Sequence, residues 1–456
     1  AVKGVLSKAE QLLASIDVLP MVECSNVLPA GFRCRLQQFA QALDKSTTKA
    51  GTSAAYHALN RLRAHALSVM PARQEQIERA QMALRLSQWL VSSLANGSGI
   101  ASAEQGLVAY LDHSGFVDWA RTKIWAGDAD EALSQVYQRL VDKVSARREV
   151  ENHAVAQHLD VIARGDNMNA RLVYVEQALE LLLAPIAEKN PVLLLVLDGM
   201  SQAVFAELVE DLVLHNWVEL RPESIPQSRC LVSALPSITK VSRCSLLSGA
   251  LREGLAPEEK SAFSSHPLLK RIASTKTPPV LFHKQDLPQQ ASGALSSSVR
   301  AVVAAKETKI VAAVINAIDD QLSGSSQMTT NWKLKSIDIL SQLLEAAREA
   351  GRVVVMTSDH GHVLDHDSFY LDAQSSGERY HTTLNNVRDQ EALVKGARVV
   401  TEQRAAVLPW SEKVRYSKTR SMGYHGGASL QELVIPFGVF VSAGEENVLP
   451  GWREVP

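Results

Sequence analysis

The sequence predicts an α/β fold: a mostly parallel sheet with flanking helices, preceded by an α-helical domain. Three observations predict it. Up to about Pro185, apolar residues recur at spacings of three and four with charges between them, the period of amphipathic helices. From Pro191, short apolar runs alternate with helical patterns, as in a parallel sheet with crossover helices. The 456 residues exceed one ordinary domain, and roughly 100–200 residues per domain makes two or three units the prior. The break is expected near residue 188. That gives a helical domain at 1–187, suited to partner or assembly contacts, and a sheet domain at 188–456.

In the first part, residues 72–94 and 131–150 read as helices, separated by turn signals at Asn96-Gly97-Ser98-Gly99 and Gly127-Asp128. The second of these helices is too charged to be buried all round, and Arg147 and Arg148 read as surface charges paired with Glu149 and Glu151. Residues 166–187 read as a last helix, broken by Pro185 and closed by Asn190-Pro191. The expected strands are 192–197, 231–234, 280–282, 310–315, 353–357 and 434–441, with shorter ones at 369–371 and 398–400. A helix over 332–350 ends at Gly351, a C′ glycine directly before the strand at 353.

Composition narrows the class. With 46% hydrophobic and 21% charged residues the chain is not disordered throughout. Lys plus Arg total 47 against 49 Asp plus Glu, which excludes a surface attracting nucleic acid or acidic lipid everywhere and leaves room for a local basic patch. Four cysteines, Cys24, Cys34, Cys230 and Cys244, show no CxxC spacing, so neither a disulfide framework nor a thiolate zinc cage is expected. A reducing, cytoplasmic location follows. No apolar run approaches the ~20 residues of a membrane span, and no signal-peptide core follows Lys3 and Lys8. The chain opens on Ala1 in place of Met, as a trimmed or partial chain would.

In open parallel sheets, ligands bind beyond the carboxyl ends of the strands. Residues 192–197 are followed by Asp198-Gly199, residues 310–315 by Asp319-Asp320 after a short gap, and residues 353–357 by Ser358-Asp359-His360-Gly361-His362. Three strands thus deliver carboxylates to one edge, and such like charges repel unless a cation lies between them. Asp with His suits zinc, manganese or a similar divalent ion, whereas calcium prefers oxygen alone. His425, within Gly423-Tyr424-His425-Gly426-Gly427, precedes the last strand and joins this set. Pro236-Ser237-Ile238-Thr239 leads into an amphipathic helix ending at Gly249. An isolated Thr239 would be a helix cap, but the N-terminus also favours an anion, and Lys240 and Arg243 add positive charge there.

These motifs together resemble the alkaline phosphatase superfamily: Leu-Asp-Gly at 197–199, Pro-Ser-Ile-Thr at 236–239 running into Ser-Leu-Leu-Ser-Gly at 245–249, Ser-Asp-His-Gly at 358–361 and His-Gly-Gly at 425–427. Within it, Thr-Lys-Val-Ser-Arg-Cys from 239, Thr-Ser-Asp-His-Gly-His from 357 and His-Gly-Gly-Ala-Ser-Leu-Gln-Glu-Leu-Val-Ile-Pro from 425 resemble the PglZ family of BREX and Pgl phage-defence systems. The resemblance covers roughly residues 191–442. It implies one divalent ion among Asp198, Thr239, Asp359 and His360, with Thr239 as the metal-bound nucleophile that becomes phosphorylated. It implies a second ion at Asp319 and His425, and Ser242 and Arg243 as hydrogen-bond donors to phosphoryl oxygens.

One departure stands out. Members with a full second site carry a histidine four residues beyond the aspartate matched to Asp319, and here that position is Ser323. Asp320, His362 or His366 are alternative ligands, and Asp320 competes with Asp319 itself. The resemblance implies a metal-dependent phosphodiesterase, a nuclease acting on DNA within a BREX assembly that includes components such as a methyltransferase. The alternatives are a phosphomonoesterase or phosphotransferase on a nucleotide, or a catalytically degenerate scaffold. Lys413, Arg415, Lys418 and Arg420, opposed by Glu412, form either a guide for a phosphate backbone or a solvated loop.

Overall fold

Six apolar residues, Val192–Leu197, make a strand that is buried on both faces, and that strand sits inside a sheet of nine strands among the described residues. The computed structural model describes residues 2–16, 18, 25–95, 99–288, 294–324, 331–373 and 378–455. Cys24 and the Asn96-Gly97-Ser98 turn lie outside the described residues. In chain order the sheet strands are β1 (Leu172–Tyr174), β2 (Val192–Leu197), β3 (Trp217–Pro222), β4 (Cys230–Val232), β5 (Val280–Phe282), β6 (Ile310–Ile315), β7 (Val353–Thr357) and then Val434–Ser442 and Trp452–Glu454. The spatial order is β1, β4, Val434–Ser442, β7, β2, β6, β5, with β3 beside the Val434–Ser442 strand and Trp452–Glu454 beside β3.

Strand β2 runs parallel to both β6 and β7, pairing Leu197 with Ile315 and Val196 with Thr357. The three strands therefore end level, which puts the residues after them at one edge. Alternate residues face opposite layers. Val192, Leu194 and Val196 pack with Val241, Leu246 and Leu247 of the helix Thr239–Ser248. Leu193, Leu195 and Leu197 pack with Leu208 and Leu212 of Gln202–Leu214 and with Leu340 and Leu343 of Asp338–Glu349.

Several elements differ from the sequence-based expectation. Val434–Ser442 runs antiparallel to β3, β4 and β7, so the sheet is mixed at this point. Residues 166–187 are not one helix: Leu172, Val173 and Tyr174 form β1, parallel to β4, followed by short helical turns. Pairing and burial of the Leu-Val-Tyr triplet override the local helical period. Residues 398–400 contribute a single bridge, Leu235 to Val399. Strand β3 and the hairpin Glu391–Lys395 with Ala405–Pro409 lack a clear apolar alternation and were not anticipated. Among the described residues, Cys34, Cys230 and Cys244 form no disulfide.

The chain divides into two units, one comprising Ala1–Gly99 and Val117–Val150, the other Ile100–Phe116 and Glu151–Pro456. The single break expected at 188 is thus replaced by three crossings. Residues from 100 onward and from 151 onward belong with the sheet because Leu107, Leu159 and Ile162 pack against Leu172, Tyr174 and Cys230. In the helical unit Arg148 is not a surface charge. It is fully buried, 3.3 Å from Asp118, with its guanidinium over the Trp89 ring. An ion pair in this setting persists because each charge is compensated.

The hairpin of the sheet unit carries a pH-sensitive contact. Burial alone would raise the Glu391 carboxyl. The facing His381 ring, the Tyr416 hydroxyl at 2.7 Å and the Arg388 N–H at 2.8 Å instead hold it at about 2. A carboxylate depressed in the folded state adds stability above its unfolded value of about 4.5 and loses it as pH falls toward 2. Glu391→Gln should therefore flatten the acid limb of a melting-temperature profile between about pH 5 and 2 and lower the plateau at pH 7. An unchanged acid limb would show that Glu391 is not the group responsible.

Candidate metal centre

The level ends of β2 and β7 place Asp198, Asp359 and His360 together. All three are buried, and one ligand atom from each lies within 4.8 Å of the others. The backbone around them is tightly braced. The Gly199 N–H donates to Asp359 Oδ1 at 3.2 Å, the Met200 N–H to Ser358 Oγ at 2.9 Å, and Ser358 Oγ to the Leu197 carbonyl at 2.6 Å. A Cβ on Gly361 would lie 1.9 Å from the Gln431 carbonyl oxygen, so only glycine lets the His360 loop pass beneath the 429–433 segment. His360 Nδ1 is 3.0 Å from the Gly361 carbonyl. That contact assigns the proton to Nδ1 and leaves the Nε2 lone pair facing the carboxylates.

Thr239 opens the ten-residue helix Thr239–Ser248. Its Oγ1 is 3.0 Å from His360 Nε2 and 3.3 Å from Asp198 Oδ1. Burial, with Asp359 beside it, pushes the Asp198 carboxyl up to about 7, and burial raises Asp359 as well. Burial also pushes His360 down to about 4. Asp359 Oδ2 is buried with no hydrogen-bond partner among the described residues. Two carboxylates, one of them with the orphaned Asp359 Oδ2, and an unprotonated imidazole nitrogen are a donor set that fits a divalent ion such as zinc or manganese.

A second pair adjoins the first. The His425 ring stacks on His360 at 4.1 Å between centroids, and its Nε2 lies 3.4 Å from Asp319 Oδ1. Burial disfavours the charged ring, but Asp319 and the neighbouring carboxylates raise His425 to about 9, while Asp319 is held below its ordinary value. Asp319 is therefore the residue brought to the site. Asp320 turns outward to Lys284 at 2.6 and 2.7 Å. Ser323 is exposed, with its hydroxyl on the Asp320 carbonyl. Of the alternative ligands, His362 is buried, with Nδ1 2.6 Å from the Gly199 carbonyl, and it feels both His425 and Asp319. His366 sits beside Asp367.

Comparison with known proteins gives this geometry a family. The model of the BREX system PglZ alkaline phosphatase-like domain matches residues 179–439, more than half of the chain. The chain belongs to the PglZ family. No curated protein matches it. Among solved structures similar to it is a phosphonoacetate hydrolase from Sinorhizobium meliloti in complex with phosphonoacetate. That structure is 14% identical over 55% of this chain and 90% of its own, with a TM-score of 0.31. The murine ectonucleotide pyrophosphatase/phosphodiesterase 5 is 13% identical over 55% and 88%, with a TM-score of 0.34. The human counterpart is 12% identical over 55% and 87%, with a TM-score of 0.36.

Two residues of this PglZ domain sit differently from the expected phosphoryl contacts. Ser242 is fully buried, and its hydroxyl donates to the Asp359 carbonyl while accepting from the Ala234 N–H at 3.2 Å. It braces the metal-site backbone and has no hydroxyl to offer a substrate. Arg243 is held by two carboxylates, with Nη1 2.6 Å from Asp198 Oδ2 and Nε 3.1 and 3.2 Å from the Glu259 oxygens. Glu259 is fully buried, raised by that burial to about 7, and 3.3 Å from His283 Nε2. Sequence reasoning missed it because Pro257-Glu258-Glu259-Lys260 reads as a solvated helix start. Asn316, whose Nδ2 is 2.6 Å from Asp198 Oδ2, was also missed. Its position directly after β6 was the available signal. In the basic cluster Lys413, Lys418 and Arg420 are exposed, while Arg415 is half-buried and donates to the Ser368 carbonyl at 2.8 Å.

Proposed function

We propose that this PglZ chain is a metal-dependent phosphodiesterase, a nuclease acting on DNA beside other components of a BREX assembly in the cytoplasm, with Thr239 as its nucleophile. What supports this reading most is the Thr239 hydroxyl, set at a helix N-terminus between His360 Nε2 and Asp198 Oδ1. A divalent ion held by Asp198, Asp359 and His360 would supply Lewis-acid stabilisation of negative charge. The chain's own groups account for the rest. The first-turn N–H groups and helix dipole favour negative charge at Thr239 Oγ1. Gly361 fixes the His360 ring through Nδ1. Glu259 holds the Nε edge of Arg243 and Asp198 takes Nη1, so Nη2 is the donor that would reach a phosphoryl oxygen. Asp319 and His425 would hold a second ion.

Among the described residues, no helix is long and apolar enough to cross a membrane. The exposed lysines at 413 and 418 and Arg420 supply local positive charge for a phosphodiester backbone on a chain whose formal charge is -2. The test is incubation of the purified chain with DNA, a chromogenic diester and a chromogenic monoester, in Mn or Zn and in chelator. Turnover of DNA and diester is expected with metal and is lost in chelator. Faster turnover of the monoester would favour the phosphomonoesterase or phosphotransferase reading, and no metal-dependent turnover of any ester would sink the enzyme altogether. The scaffold reading draws its support from one observation, the exposed serine at 323 where a second-site histidine would stand.

A further inference from the structure

The helical unit contains an apolar groove with a volume of about 480 Å³, remote in role from the residues of the metal centre. Leu43, Leu90 and Leu140 line it from three different helices, Pro29–Asp44, Pro71–Ala95 and Glu131–Ala156. Along the last of these the lining residues are Val136, Arg139, Leu140, Lys143, Ala146, Arg147 and Val150. Their spacing of three and four marks one continuous face of the helix. Fourteen residues separate the first from the last, about 21 Å at 1.5 Å per residue, or nearly four turns. Val150, at the far end of this stripe, is 48% exposed although apolar.

Charge is uneven along the same stripe. Arg139, Lys143 and Arg147 stand four residues apart; Arg139 is paired with Asp44 at 2.8 Å, and Lys143 is exposed. We propose that this groove seats an acidic amphipathic helix of a partner protein. The wall along Glu131–Ala156, nearly four turns long, matches the length and side-chain period of a helix, whose apolar face would enter beside Leu90 and Leu140. The exposed Lys143 ammonium at the centre of this stripe favours acidic flanks over basic ones. The inference is independent of the metal centre and of the reaction proposed for it.

The test uses the full chain and a fluorescent designed helix of about 18 residues with leucines at three- and four-residue spacing and glutamates on its flanks. A twin carries lysines in place of the glutamates. Fluorescence anisotropy should show saturable binding of the acidic peptide, with the basic twin at least tenfold weaker. Lys143→Glu and Val150→Asp, both at exposed positions and so compatible with folding, should each weaken the acidic peptide about fivefold or more, with unchanged circular dichroism. Equal binding of both peptides, unaltered binding by the variants, or no saturation at millimolar peptide would each overturn the proposal. So would self-association in sedimentation that Val150→Asp abolishes, which would assign the groove to a second copy of the chain.

Discussion

Thr239→Ala is expected to lower metal-dependent turnover of a phosphodiester about a thousandfold or more, while the melting temperature stays nearly unchanged. The two parts of this expectation separate a nucleophile from a helix cap. Ile238, not Thr239, occupies the N-cap position, and the Thr239 hydroxyl bonds only with Asp198 and His360 among the described residues. A true capping threonine would cost about 1 kcal/mol of stability when cut to alanine. Thr239 is not spent on the helix, so its loss should be felt in chemistry. Thr239→Ser keeps the hydroxyl and should retain much of the activity. Turnover of the alanine variant within tenfold of the wild type would rule out Thr239 as the nucleophile.

Asp359→Asn should move stability in opposite directions with and without metal. Without it, Asp198 and Asp359 crowd two buried carboxylates at one point, and Asp359 Oδ2 has no hydrogen-bond partner among the described residues. A neutral amide removes that repulsion, so the melting temperature in chelator should rise, Arg243 having offset only part of the charge. With metal the order reverses. A ligand at a hundred times its dissociation constant stabilises the folded state by about 2.7 kcal/mol, and the variant should lose most of that increment. Thermal unfolding in chelator and in Mn or Zn reads both effects. An equal metal-induced shift in both proteins would remove Asp359 from the ligand set.

Much of the candidate site was readable because the residues that could hold an ion lie next to strand ends. Asp198 directly follows β2, and Asp359 and His360 follow Ser358, the first residue after β7, so recognising the apolar runs located them. The choice between Asp319 and Asp320 was not readable. Both lie in the short helix Ala317–Ser323, where neighbouring residues point about 100° apart, and only packing shows which one faces His425. Ser242 was misjudged for a related reason. A serine three residues beyond Thr239 faces the same side of its helix in a sequence diagram, yet the Asp359 carbonyl and Ala234 N–H claim its hydroxyl.

The sequence by itself determined the order of the apolar runs, the residues that follow each of them and the helix that begins at Thr239. These are local consequences of hydrophobic period and chain breakers, which act over a few neighbouring residues. Tertiary structure alone decided that β2, β6 and β7 end level, that Leu172–Tyr174 is a strand, and that Glu259 is buried behind Arg243. It also divided the chain by three crossings where one break was expected. Each of these depends on which distant segment supplies a hydrogen-bonding edge, an opposite charge or a covering apolar face, and nothing in a residue's own neighbourhood carries that information.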